Sequence, residues 1–190
     1  MKTLNTYINE WQLNNKSKHN INALKIVPKT FYELRKIAKD RYYKNRESID
    51  MSDIDISKIT NLGDTDPSSS DGVFYGFEDV QTINIVGWNS EHIQSFGHLF
   101  QGCNNLTSII GIESLNTKNV KCMFGTFGGC FSLKTLDLSH WDMSNVSVFN
   151  SMFYNCYNLK TLKGIEKFKG KVVFDDTFHN CSKLDTSMIR

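Results

Sequence analysis

Five cysteines and five histidines are the residues of this 190-residue chain best equipped for chemistry, and their spacing limits what that chemistry is. A structural zinc site wants close pairs of the C-x2-C kind, and Cys103, Cys122, Cys130, Cys156 and Cys181 form none. Four of them stand 27, 26 and 25 residues apart (Cys103, Cys130, Cys156, Cys181), which reads as one inward position recurring down a stack. Such a column packs as small apolar residues; disulfides between neighbours need Cα atoms within roughly 7 Å, and nothing in the sequence signals an oxidising compartment. Reduced core thiols are therefore expected, with Cys122, outside the column, as the exposed thiol. His19, His92, His98, His140 and His179 are scattered, and none stands at a ligand spacing from Cys, Asp or Glu. Asp64, Asp66 and Asp71 do not match the ligand positions of an EF-hand loop. No G-x-S-x-G, H-E-x-x-H or P-loop occurs, and Gly125-Thr-Phe-Gly128-Gly129 reads as a tight turn rather than a phosphate cradle. The expectation is a chain that is not an enzyme, with no catalytic residue, no metal and no cofactor.

The positions around the cysteines explain their spacing. Phe100-Gln-Gly-Cys103-Asn-Asn-Leu106 recurs as Phe127-Gly-Gly-Cys130-Phe-Ser-Leu133, Phe153-Tyr-Asn-Cys156-Tyr-Asn-Leu159 and Phe178-His-Asn-Cys181-Ser-Lys-Leu184. A weaker copy, Phe74-Tyr-Gly-Phe77-Glu-Asp-Val80, has Phe77 in the place of cysteine. Before each Phe, apolar residues fall at helical spacing (Ile93 and Phe96, Val120 and Met123, Val146 and Phe149), with Asn119 and Asn145 where an N-cap would stand. After each Leu, alternation as in Leu133-Lys-Thr-Leu136-Asp-Leu138 predicts a short strand. One such unit cannot bury its own apolar face, whereas stacked units share a core and a parallel strand ladder. Strand-bearing repeats of this length point to an α/β repeat, a leucine-rich-repeat solenoid over 73–190 of about four to five coils.

Leu133-Lys-Thr-Leu136-Asp-Leu138-Ser139-His-Trp141-Asp-Met-Ser144-Asn145-Val146, with Met152-Phe153-Tyr-Asn-Cys156, resembles the BspA-like leucine-rich repeat family of bacterial surface proteins. Met51-Ser-Asp53-Ile54-Asp55-Ile56-Ser57-Lys-Ile59-Thr and the segment opened by Pro28-Lys-Thr30 are similar to the start of such arrays. Three departures stand out: Gly111 and Gly164 replace a strand aliphatic, Trp-Asp is missing near residues 114 and 167, and 61–72 reads as an inserted exposed loop. The resemblance implies a role in adhesion at a cell surface. The first residues lack the apolar stretch of a secretory signal, which points instead to a protein cytoplasmic at synthesis. Met1-Lys-Thr-Leu4-x-x-Tyr7-Ile8-x-Glu10 is similar to the leader of many proteins encoded by bacteriophages of gut Bacteroidetes, which implies a virion.

Ahead of the repeats, Thr30-Phe-Tyr-Glu33 fits a capping box, and Phe31, Leu34, Ile37, Ala38 and Tyr42 follow at helical spacing. This N-terminal helix within 28–60 is expected to cap the first coil, as terminal repeats require. Residues 1–50 hold 11 Lys/Arg against 5 Asp/Glu, while 51–190 hold 11 against 15. That basic head reads either as a solvated capping face or as a surface for a charged partner. The polar segment 1–27 is expected to be a flexible or partner-docked arm, with Tyr7 and Trp11 as anchors.

Function is expected in non-catalytic binding or structural assembly, as in a virion-associated protein of a phage. The alternatives are a secreted or cell-surface adhesin for protein or glycan, and nucleic-acid binding through the basic head. Exposed strand positions Lys134, Thr135, Asp137, Lys160, Thr161 and Lys163 are the candidate protein-binding surface. Leu184 and Met188 are expected to dock the last coil on another copy or a different protein. No stretch approaches the length of a membrane span.

Overall fold

A computed structural model describes residues 25–66, 68–168 and 176–187. The element order is one α-helix, α1 (Phe31–Lys44), then five three-residue strands: β1 (Ser48–Asp50), β2 (Thr82–Asn84), β3 (Ser108–Ile110), β4 (Thr135–Asp137) and β5 (Thr161–Lys163). Each strand buries its middle aliphatic (Ile49, Ile83, Ile109, Leu136, Leu162) and turns its first residue towards solvent. All pairing is parallel and in register, Ile49 against Ile83 against Ile109, and Leu136 against Leu162. The ladder is split, however, into a three-stranded sheet β1-β2-β3 and a two-stranded sheet β4-β5.

The core is a set of columns, one rung per coil. Phe74, Phe100, Phe127, Phe153 and Phe178 form a continuous ring stack, with centroids 5.4, 5.5, 5.3 and 5.3 Å apart and interplanar angles of 5°, 11°, 7° and 5°. Beside it, each ladder thiol donates to the phenylalanine carbonyl one coil earlier: Cys103 to Phe74 (3.2 Å), Cys130 to Phe100 (3.2 Å), Cys156 to Phe127 (3.1 Å) and Cys181 to Phe153 (3.1 Å). Leu106, Leu133 and Leu159 are buried at the next turn, while Phe178 and Leu184 of the last described coil are partly buried. The weak first copy is also accounted for: Phe77 stands in the cysteine column because the Tyr42 ring of α1 stacks on it at 4.4 Å and 6°.

The segment before each Phe is not the helical turn that its spacing predicts. It is a chain of three-residue turns whose alternate amides leave the coil. Leu99 N–H bonds Phe96 (3.1 Å), Gln101 bonds His98 (3.1 Å) and Cys103 bonds Phe100 (3.1 Å). Between them His98, Phe100 and Gly102 donate to Phe124, Thr126 and Gly128 of the next coil (2.8, 2.9 and 2.8 Å). The backbone switches because the residues two before and two after Phe adopt left-handed φ: His98 and Gly102, Gly125 and Gly129, Ser151 and Asn155. Glycine and asparagine tolerate that region best. A recurrence of three and four arises from such turns as readily as from a helix, so period alone misreads it. Asn119 and Asn145 are accordingly not N-caps; their amides donate to Glu91 O (2.5 Å) and Lys118 O (2.7 Å) of the previous coil.

Gly111 and Gly164 have a packing reason. Each ends a strand at positive φ and opens a short 3-10 helix (Ile112–Ser114, Ile165–Phe168). A Cβ there would meet backbone of the preceding coil, 2.9 Å from Val86 N and 2.9 Å from Leu138 C respectively. The preceding coils carry tryptophan instead, and Trp88 and Trp141 send their buried indole N–H to Met51 O (3.0 Å) and Ile112 O (3.1 Å).

α1 begins as its capping box predicts: Thr30 Oγ1 accepts from Glu33 N–H (3.2 Å), while Glu33 reaches Lys29 N–H (2.7 Å). Its buried face is Leu34, Ala38 and Tyr42. Its arginines are turned to carboxylates of the coils: Arg35 to Asp71 (3.7 Å), Arg41 to Asp53 through two bonds (2.6 and 2.9 Å) and Arg46 to Asp79 (3.0 Å). Two boundaries shift. Ile26, placed in the arm, pairs with Ile54. The segment 61–72 is exposed only towards its tip, because Leu62, Gly63 and Gly72 are buried and Asn61 and Ser95 bridge.

Candidate interaction face

Building outward from the strands, the first residue of each is a small hydroxyl: Ser48, Thr82 and Ser108 along one sheet, Thr135 and Thr161 along the other. Adjacent strands lie about 4.8 Å apart, so these hydroxyls form a regular row. Of the residues proposed from sequence for binding, Lys134, Thr135, Lys160, Thr161 and Lys163 are exposed and Asp137 is half-buried, all on this face. Asp137 faces Lys163 in register, and Lys163 Nζ bonds its carboxylate at 2.9 Å. The Ser139 hydroxyl donates to the other oxygen at 2.6 Å. Ser139 first and Lys163 second hold the Asp137 carboxyl far below the usual carboxylate range. Leu184 lies apart from this face, packed on the core of the last described coil. Tyr7, Trp11 and Met188 fall outside the described residues.

Between β3 and β4 the face opens into a cleft of about 390 Å³, floored by Ile109, Ile112 and Leu136 and edged by Ser108, Glu113 and Asp137. Sequence reasoning missed it, since nothing in the repeat phrase differs at that junction. It also missed two exposed aromatic contacts on the cysteine corner, Phe131 with Tyr157 (5.4 Å) and Tyr154 stacked on His179 (5.2 Å, 10°). Their signal was present as aromatics one residue after Phe or Cys in adjacent repeats.

The thiols are placed differently from expectation in one case. Cys122, read as exposed, is only 4% exposed, bridged on one side to Ser95 and on the other to Val148. It is a rung of the turn-side ladder, covered by the coils above and below. Burial pushes the Cys103 and Cys130 thiols up, away from the reactive thiolate. Asp64 and Asp66 spend their carboxylates on local turns, accepting from Asp66 N–H (3.0 Å) and Ser68 N–H (2.8 Å). Among the described residues, no three His, Cys, Asp or Glu side chains converge as metal ligands. No described helix is long and apolar enough to cross a membrane.

No curated protein matches the chain. Among solved structures it is similar to a leucine-rich repeat protein from Eubacterium ventriosum, with 18% identity and a TM-score of 0.35 over 61% of this chain. The chain spans about a third, 32%, of that protein's length. A family profile matches residues 68–189, the stretch that holds every Phe-x-x-Cys-x-x-Leu copy and well over half of the chain. The protein therefore belongs to the family described as "Mycoplasma protein of unknown function, DUF285".

Proposed function

We propose that this chain is a non-catalytic protein-interaction module that binds through its strand face. The observation that carries the reading is the row of in-register polar positions, Ser48, Thr82, Ser108, Thr135 and Thr161, with Lys134, Lys160 and the Asp137–Lys163 pair beside it. These side chains are exposed at regular intervals on a stacked scaffold, an arrangement suited to an extended partner. Pairing of Arg35, Arg41 and Arg46 with coil carboxylates favours α1 as a cap over α1 as a nucleic-acid surface.

Substitution on the face tests this. Thr135→Arg with Thr161→Arg should leave the unfolding midpoint unchanged and remove specific partners from cross-linking mass spectrometry in the native host. The matched control, Lys121→Glu with Ser147→Arg on the turn side, should keep them. Equal loss from both pairs, or from neither, contradicts the reading. The finer proposal of a phage virion component rests on the leader's resemblance, and proteomics of purified virions checks it. Detection at the cell surface alone would favour the adhesin.

A further inference from the structure

The strand ladder is open at one junction. In the register that joins the other coils, Thr82, Ser108 and Thr161 donate to Glu47, Gln81 and Lys134 of the preceding coil at 3.1, 3.1 and 3.2 Å. At the strand ends Met51, Ile85 and Leu138 donate to Asn84, Ile110 and Lys163 of the next at 2.7, 2.9 and 3.0 Å. The same register across β3 and β4 would send Thr135 N–H to Thr107, Ile109 N–H to Thr135, Asp137 N–H to Ile109 and Gly111 N–H to Asp137. None of these four bonds is made among the described residues. The two coils nevertheless stay joined elsewhere, through Phe100 N–H to Thr126 (2.9 Å), Ser132 N–H to Asn104 (3.1 Å) and the Trp141 indole to Ile112 (3.1 Å). The opening is thus confined to the strands, where two unpaired edges face one another. The floor shows it as well: Ile109 and Leu136 keep 7% and 6% exposure where Ile83, in the closed sheet, keeps 0%.

We propose that this cleft receives an extended peptide of a partner protein as an added parallel strand between β3 and β4. The inference rests on the strand face being the binding surface and names what it binds. Two facing rows of free N–H and C=O groups are the condition for strand addition. The peptide's central side chain then continues the column Ile49–Ile83–Ile109 and Leu136–Leu162, so it must be aliphatic. The following residue stands beside Asp137, and Glu113 lies on the same rim. These carboxylates select a cation there, as Lys163 already pairs with Asp137 from the other side at 2.9 Å. The peptide therefore reads hydroxyl or small residue, aliphatic, then Lys or Arg. The probe is the acetylated and amidated pentapeptide Lys-Thr-Leu-Lys-Gly, copied from residues 160–164.

The test uses amide-resolved NMR on the full chain. Without peptide, the amides of Ile109, Gly111, Thr135 and Asp137 should exchange at least about tenfold faster than their paired counterparts Ile83, Ile85, Ser108 and Ile110. Millimolar peptide should shift and protect those four amides. Methylating its leucine nitrogen, which deletes one strand bond, should weaken binding about tenfold. Leucine replaced by Asp should not bind, and the second Lys replaced by Glu should bind more weakly, a preference that Glu113→Gln reduces. Exchange as slow as in the counterparts, no shift at millimolar peptide, or indifference to N-methylation would each overturn the proposal. Protection that grows with protein concentration alone would assign the cleft to a second copy and overturn it too. Failure here with the face substitutions still removing partners would remove strand addition and leave the interaction reading standing.

Discussion

Replacing glycine by alanine at two positions should separate backbone strain from steric exclusion. Gly111 and Gly129 both hold left-handed φ, +93° and +74°. At 129 an added Cβ would lie 3.5 and 3.6 Å from Gly102 N and Cα, ordinary contact distances. At 111 it would lie 2.9, 3.0 and 3.1 Å from Val86 N, Val86 Cα and Ile85 C, all backbone that the β2 coil holds in place. The conformational strain is about 1–2 kcal/mol at each site, offset by about 0.4–1 kcal/mol from a less disordered unfolded chain. Overpacking adds about 1–3 kcal/mol at 111 alone. Gly129→Ala should therefore cost about 1 kcal/mol or less, and Gly111→Ala about 2–4 kcal/mol. For a chain of this size, that corresponds to a fall in Tm of roughly 5–15 °C for Gly111→Ala and a few degrees for Gly129→Ala. Urea and thermal unfolding by circular dichroism measure both, and hydrogen exchange at β2 and β3 locates the loss. Equal losses, or a larger loss at 129, would refute the close-approach account.

The remaining predictions concern the core, the thiols and the Asp137 carboxylate. Phe127→Ala, in the middle of the ring stack and fully buried, should cost about 3–5 kcal/mol, and Phe178→Ala, partly exposed in the last described coil, clearly less. Equal costs by denaturant unfolding would show that the stack is not a shared core. Cys103, Cys122, Cys130 and Cys156 should resist a disulfide-exchange thiol reagent at pH 8 in the native protein and react once urea is added. Rapid native labelling of Cys122 would contradict its burial. Ser139→Ala should raise the Asp137 pKa towards the ordinary range, read by carboxyl carbon NMR, because Ser139 is the largest cause of its depression. A depressed folded-state pKa stabilises above the unfolded value near 4 and loses that contribution as pH falls. The stability gap between wild type and Ser139→Ala should thus shrink below about pH 4; a gap constant from pH 7 to pH 3 would contradict it.

Much of the fold was legible because a repeat reports on itself. The phrase Phe-x-x-Cys-x-x-Leu, recurring every 25 to 27 residues, specifies stacked coils, since one position in every coil must share one environment. Strand positions were legible from the alternation around Leu136 and Leu162, and the start of α1 from Thr30 and Glu33. The turn chain before each Phe was not, because apolar spacing of three and four carries no sign of φ. Only Gly102, Gly129 and Asn155 hinted at left-handed backbone there. The candidate face was readable as a list of outward strand positions, and the cysteines as a buried column.

Which neighbour each residue meets is decided between coils, and no local pattern encodes it. Asn119 bonds a carbonyl 28 residues away, Cys122 is covered by Ser95 and Val148, and Gly111 is glycine because Val86 passes close. The break between β3 and β4 is the clearest case. The residues there keep the same register as every other coil, so the sequence alone determined a ladder of strands. Only the packing of one whole coil on the next decided where that ladder closes and where its hydrogen bonds remain free.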